Sequence, residues 1–139
     1  MTNDSTRKVT MTRESEGVYV ATNAAGDSLT FGQGEGMLSP VELMLAAIAG
    51  CSSIDLDAMT SRRVQPDRFN VTASADKATH DGGAILENIV VEWDLLFPEG
   101  ADGDKARARV GAALKSSREK TCTVSRTVEA GVPVEFREV

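Results

Sequence analysis

Apolar positions along this chain follow two rhythms, and one stretch breaks both. Between Leu43 and Cys51 all nine residues are apolar, so no face of that segment calls for water. A segment apolar on every side is read as a buried helix. Its start is written just upstream. Ser39 stands as N-cap, Pro40 at the first helical position and Glu42 three residues after the serine, the pattern of a capping box. Polar residues return at Ser52, Ser53, Asp55 and Asp57, and Arg62 and Arg63 suit the negative end of the helix dipole. The pattern predicts a long central helix from Ser39 to Arg63. Ala46, Ala49, Gly50 and Ser53 form a strip of small side chains on it, and a mid-helix glycine such as Gly50 implies a packing reason.

Elsewhere the rhythm has a period of two. Before the helix, alternation predicts strands at Lys8 to Glu14, Val18 to Thr22 and Ser28 to Phe31, separated by turns at Glu16–Gly17 and Gly26–Asp27. The first six residues look like a loose terminus. After the helix, Phe69, Val71, Ala73 and Ala75 alternate with polar residues, and Ile89, Val91, Trp93, Leu95 and Phe97 share one face of a longer strand. Asp81, Gly82 and Gly83 turn the chain between them, so the two form an antiparallel hairpin, with His80 in the loop.

A helical period then resumes from about Asp104 to Lys120, with Ala106, Val110, Ala113, Leu114 and Ser117 on one side and Asp102 as a candidate cap. Its basic residues read as a solvated face. Val132 to Glu138 alternates again and is expected to be a final strand, with Val134 and Phe136 together. Three strands, a long buried helix, a hairpin, a second helix and a C-terminal strand make an α+β fold, read as one domain over residues 1–139.

Charge and composition narrow the function classes. A net charge of −6 argues against nucleic acid and anionic membrane as partners. The apolar run is read as too short to span a membrane, and a cytoplasmic location is expected. Two cysteines and one histidine are too few for a disulfide scaffold or a zinc site, and no metal or cofactor is expected.

The chemistry rests on those two cysteines. Only a thiolate is a nucleophile. Cys51 sits among apolar residues with Asp55 one turn on, and both circumstances raise a thiol pKa, so an active Cys51 needs a cation from elsewhere. Arg7, Arg13, Arg118, Lys120 and Arg126 are the candidates. Cys122 has Arg118, Lys120 and Arg126 close in sequence, a setting that lowers a thiol pKa where one approaches the sulfur. The alternative is a pair of buried, inert thiols. Glu42 is accounted for by the capping box, with a supporting catalytic role as the alternative.

Ser39-Pro40-Val41-Glu42-Leu43, the alanine-rich run into Gly50-Cys51-Ser52, and Cys122-Thr123-Val124-Ser125 together resemble the OsmC/Ohr superfamily of osmotically inducible and organic-hydroperoxide-resistance proteins. The order of elements agrees over essentially the whole chain. The resemblance implies an intertwined homodimer whose central helices are wrapped by sheets. It also implies a cofactor-free thiol peroxidase: Cys51 attacks the peroxide, Cys122 resolves the product as a disulfide, and an external dithiol restores both thiols. Glu42, Arg13 and Lys120 are the supporting candidates. Peroxidase members carry Glu directly after the helix-opening proline, paired with an activating arginine, where this chain has Val41. They commonly carry Pro after the second cysteine, where this chain has Thr123. These departures place the sequence nearer a less characterised branch.

Two functions follow. One is two-cysteine reduction of organic hydroperoxides, with Met44, Ile48 and Ile54 as an apolar lining suited to lipid-like substrates. The other is a non-catalytic dimeric scaffold that binds a small hydrophobic ligand in the same groove.

Overall fold

The computed structural model describes residues 5–139, so most of the expected loose terminus lies outside the described residues. Two compact units divide the chain, Met1–Met44 and Leu45–Val139.

In the first unit, β1 (Val9–Ser15), β2 (Val18–Asn23) and β3 (Ser28–Gly32) form an antiparallel sheet in the order β1-β2-β3. Tyr19 faces Arg13 in the first pairing and Phe31 in the second, and the Tyr19 and Phe31 rings meet at 5.9 Å. All three strands match their sequence pattern. Asn23 builds the turn before β3: its side-chain oxygen accepts the N–H groups of Ala25 and Asp27, each at 3.0 Å.

The chain then enters α1 (Pro40–Ser61) through the expected capping box. The Ser39 N–H donates to Glu42 Oε1 at 2.9 Å, and the Glu42 N–H donates to Ser39 Oγ at 3.2 Å, so two otherwise orphaned donors are satisfied.

Only one stripe of α1 is buried, in contrast to the helix covered on every side that its sequence predicts. Ile48, Ser52, Leu56 and Thr60 recur at intervals of one turn and form the buried edge. Val41 and Ile54 stay 50% and 67% exposed, and no atom lies within 4 Å of a Cβ built at Gly50. The elements of this one chain are too few to cover the rest. With 22 residues, α1 is also long and apolar enough to cross a membrane by length and composition alone, contrary to the sequence expectation. Its polar bonds to other elements, described below, make it the core helix of this fold.

In the second unit, β4 (Arg68–His80) and β5 (Gly83–Leu96) form the expected antiparallel hairpin. Phe69, Val71 and Ala73 face Leu95, Trp93 and Val91 in register on the half-buried side. His80 belongs to β4 rather than to a loop and pairs with Glu87 at 3.0 Å on the surface.

The second helix, α2 (Ala101–Ser116), begins earlier than its periodicity suggests, with Gly100 as N-cap and Asp102 in the first turn. The close packing of its start explains the shift. Gly103 is buried against the Pro98 carbonyl, where any Cβ would collide. Ala106, Ala113 and Ser117 are buried as predicted, with Val110 and Leu114 half-buried beside them. Arg107 donates to the Leu95 carbonyl at 2.8 Å and lies over the Phe97 ring.

After α2 the helix widens into a π turn, Ser117–Thr121, closed by the Cys122 N–H donating to the Ser117 carbonyl at 2.8 Å. A short helix follows, α3 (Thr123–Ala130), ended by Gly131 in the left-handed conformation. Residues 132–139 form no strand. Among the described residues no strand pairs with them, and Val134 and Phe136 are 77% and 93% exposed.

Candidate functional site

Cys122 is the buried centre of the site. It stands at the junction of the π turn and α3, where it serves as the N-cap of α3: its backbone is extended, and its sulfur accepts the Ser125 N–H at 3.5 Å. A sulfur can fill the capping role that a hydroxyl normally takes because the first N–H groups of a helix lack partners. The side chain is 1% exposed.

A second contact reaches it from α1, where Ser52 Oγ lies 3.3 Å from the Cys122 sulfur. Ser52 Oγ also donates to the Ile48 carbonyl at 2.7 Å, and the Ser52 carbonyl accepts from Ser117 Oγ at 3.0 Å. One serine on α1 is thus tied both to the π turn and to the residue that follows it. Thr121 adds a further tie, donating its hydroxyl to the Asp55 carboxylate. Asp55 is therefore engaged by Thr121.

Cys51 precedes Ser52 and is half-buried, and both cysteines are free thiols. The Cys51 thiol is close enough to act on the Cys122 sulfur. Burial pushes the Cys122 pKa up. Hydrogen bonds from the Ser125 hydroxyl, Ser52 and the Ser125 N–H, with the Cys51 thiol adding to them, outweigh that effect and hold the thiol below its ordinary range. Among the described residues none of the hydrogen bonds to this sulfur comes from Arg or Lys.

Of the cations expected from the sequence, Arg118 lies in the wall of the cavity described below, Arg126 donates to the Lys120 carbonyl at 3.3 Å, and Arg13 lies on β1. Glu42 is engaged in its cap, where the Ser39 N–H and then the Ser39 hydroxyl hold its carboxyl below the usual range.

A cavity of about 460 Å³ adjoins the serines. Ser52 and Ser125, which both touch the Cys122 sulfur, form part of its wall with Ser117. Ile48, Ile89, Val91, Trp93 and Val128 supply apolar lining, and Arg118 and Glu129 add charge. Of the residues expected to line a groove, Ile48 does so, whereas Ile54 is exposed. The remaining lining comes from β5, α2, the π turn and α3, whose convergence here the sequence pattern did not reveal. Trp93 is fixed by its indole N–H donating to Ser53 Oγ at 2.9 Å, which ties β5 to α1. Among the described residues no group of three or more His, Cys, Asp or Glu side chains is placed to hold a metal ion.

A family model of OsmC-like proteins matches residues 32–137, which include α1, both cysteines and every wall of the cavity. The chain belongs to the OsmC-like protein family. Solved structures agree with its fold. A hypothetical protein from Aquifex aeolicus VF5 aligns with a TM-score of 0.72 at 21% identity, covering 96% of this chain and 98% of that one. An OsmC-like protein from Mycoplasma pneumoniae aligns at 0.66 and 15% identity, covering 91% and 89%. An OsmC-like protein of unknown function from Vibrio cholerae aligns at 0.64 and 12%, covering 90% and 94%. No curated protein sequence matches the chain. At these identities the likeness concerns fold, and the chemistry of this OsmC-like chain must be argued from its own residues.

Proposed function

We propose that this OsmC-like protein reduces organic hydroperoxides by cycling Cys51 and Cys122 between dithiol and disulfide. The observation that carries the reading is the meeting of two free cysteines, distant in sequence, beside a largely apolar cavity. In the first step the Cys51 sulfur attacks the distal peroxide oxygen, forming a sulfenic acid and releasing the alcohol. Cys51 takes this role because it is the more exposed of the two thiols. In the second step the Cys122 sulfur displaces the sulfenic oxygen as hydroxide and forms the disulfide. An external dithiol then reduces it. The cavity suits a hydroperoxide with an apolar body better than hydrogen peroxide, because apolar surface gains from leaving water. The cycle needs no metal and no cofactor, and it fits a homodimer working in the cytoplasm, where reductants keep such thiols reduced.

A second reading, a dimeric scaffold for a small hydrophobic ligand, draws on the same cavity and on Val41, which replaces the acidic residue of the peroxidase members. Intact mass separates the two. One equivalent of an organic hydroperoxide should remove two hydrogens per chain, and a Cys51→Ser variant should not form the disulfide. An unchanged wild-type mass would leave the scaffold.

A further inference from the structure

The proposed cycle asks an external dithiol to reach a disulfide made at the buried Cys122 sulfur. The place of Cys122 in the chain supplies a means of access. Its N–H closes the π turn on the Ser117 carbonyl at 2.8 Å, and its carbonyl accepts the Arg126 N–H at 3.0 Å. Its sulfur caps α3 through the Ser125 N–H at 3.5 Å and meets Ser52 Oγ of α1 at 3.3 Å. One side chain therefore holds the start of α3 and joins it to α1.

α3 depends on that hold more than most helices do. It has eight residues, short of the roughly 12–15 at which an isolated helix becomes even marginal in water. Thr123, Val124, Thr127 and Val128 are β-branched, which lowers its intrinsic propensity further. The π turn before it is anchored separately: Ser117 Oγ donates to the Ser52 carbonyl at 3.0 Å, and Thr121 donates to the Asp55 carboxylate. Release at Cys122 would thus free α3 and leave the π turn in place. α3 in turn supplies Ser125, Val128 and Glu129 to the cavity wall.

We infer that the Cys122 sulfur is a redox-sensitive latch: free, it holds α3 closed as a wall of the cavity, and bonded to a second sulfur it releases α3. The hydrogen bonds above carry the latch, and the peroxidase reading supplies Cys51 as the second sulfur. Two effects separate the states. Neighbouring residues on an α-helix project roughly 100° apart, so a sulfur seated against Ser52 turns away from that seat, and from the Ser125 N–H, to bond Cys51. A disulfide sulfur is also a weaker acceptor than a thiolate, which leaves a poorer cap.

The steps balance. The Cys122 thiolate attacks the sulfenic sulfur of Cys51, the S–S bond forms as S–O breaks, and hydroxide departs. The two electrons lost by the thiol pair have gone to the O–O bond of the hydroperoxide. The opened wall lets the alcohol leave and the dithiol enter. Attack by the dithiol on the Cys51 sulfur expels Cys122 as a thiolate, the form that best caps α3, and the donor's second thiol then frees Cys51. Reduction thus closes the cavity again.

A serine would cap α3 equally well but unconditionally, and that difference gives the test. Amide hydrogen exchange, read by mass spectrometry on peptides from α3 and from the β1–β3 sheet as reference, reports local opening. Cys122→Ala, which lacks a cap, should exchange on the order of 5-fold faster over α3 than reduced wild type, and Cys122→Ser should not. Wild type oxidised with diamide, which needs no peroxide, should exchange over α3 at least as fast as Cys122→Ala and recover with dithiothreitol. The reference sheet should not change. Equal protection of α3 in Cys122→Ala and wild type would overturn the latch, as would an oxidised α3 as protected as the reduced one. Either result leaves the peroxidase reading intact. A wild type that opens α3 with diamide yet leaves an organic hydroperoxide unreduced would support the latch and end the peroxidase reading. Failure of diamide to join the two cysteines would overturn both.

Discussion

At the scale of single residues, the site turns on hydrogen bonds to one sulfur. Ser52 supplies a side-chain contact to Cys122 from a different element, so it is the residue whose loss is most readable. A Ser52→Ala variant should raise the Cys122 pKa, seen as slower alkylation of Cys122 at neutral pH in a Cys51→Ser background. Stability should follow with a defined sign. A depressed pKa contributes stability that is fully present above the unfolded thiol value of about 8.5 and is lost as pH falls through the folded value. The gap between wild type and Ser52→Ala in chemical denaturation should therefore widen as pH rises, beyond a constant loss of about 1 kcal/mol for the buried hydrogen bonds. A gap constant with pH would count against Ser52 as a thiolate donor. The nearness of Cys51 to Cys122 was legible through the family resemblance, but the donors to the Cys122 sulfur were not. Serines at 52 and 125 read as ordinary polar residues until the fold brings them to one atom, and of the cations nearest in sequence Arg126 is engaged by the Lys120 carbonyl.

At the scale of elements, legibility followed how local the determining interactions are. The capping box of α1 lies within four residues and was readable in full. Ser39→Ala should cost about 1 kcal/mol in thermal or chemical unfolding, whereas Glu42→Gln should change stability little at neutral pH, because Gln can hold the same cap. The small effect of Glu42 should depend on pH in a definite direction. Its lowered pKa contributes above the ordinary carboxylate range and the contribution disappears as pH falls through the folded value, so wild type and Glu42→Gln should converge in acid. A strong loss of peroxide reduction in Glu42→Gln, with stability retained, would instead assign it to catalysis. The hairpin was legible for the same local reason, as β4 and β5 carry alternating patterns joined by a turn. α3 was missed. Thr123, Val124, Thr127 and Val128 are β-branched and argue locally against a helix. The signals that remain are a cap at Cys122 and Gly131 as a stop, with Val124 and Val128 one turn apart. The π turn left no sequence signal, because its extra residue per turn is set by how Ser117 and Thr121 bond to α1.

At the scale of the whole molecule, a second copy of the chain would account for two mismatches between sequence and structure. α1 is apolar all round over Leu43 to Cys51, yet this chain buries only its Ile48-Ser52-Leu56-Thr60 stripe. Residues 132–139 alternate like a strand, yet they pair with none and leave Phe136 at 93% exposure. Ile54, Val90 and Val134 add to the uncovered apolar surface, more than an isolated small chain is expected to leave in water. A second copy of the chain would cover such surface and could supply the strand partner that residues 132–139 lack. Sedimentation at micromolar concentration should therefore give the mass of a dimer. Ile54→Asp tests the contact itself. Ile54 is 67% exposed in the single chain, so a charge there should leave an isolated chain folded while opposing burial against a partner. The expected result is a dimer shifted toward monomers with secondary structure retained. A compact wild-type monomer, or an Ile54→Asp dimer as tight as wild type, would place the apolar surface of α1 in some other role.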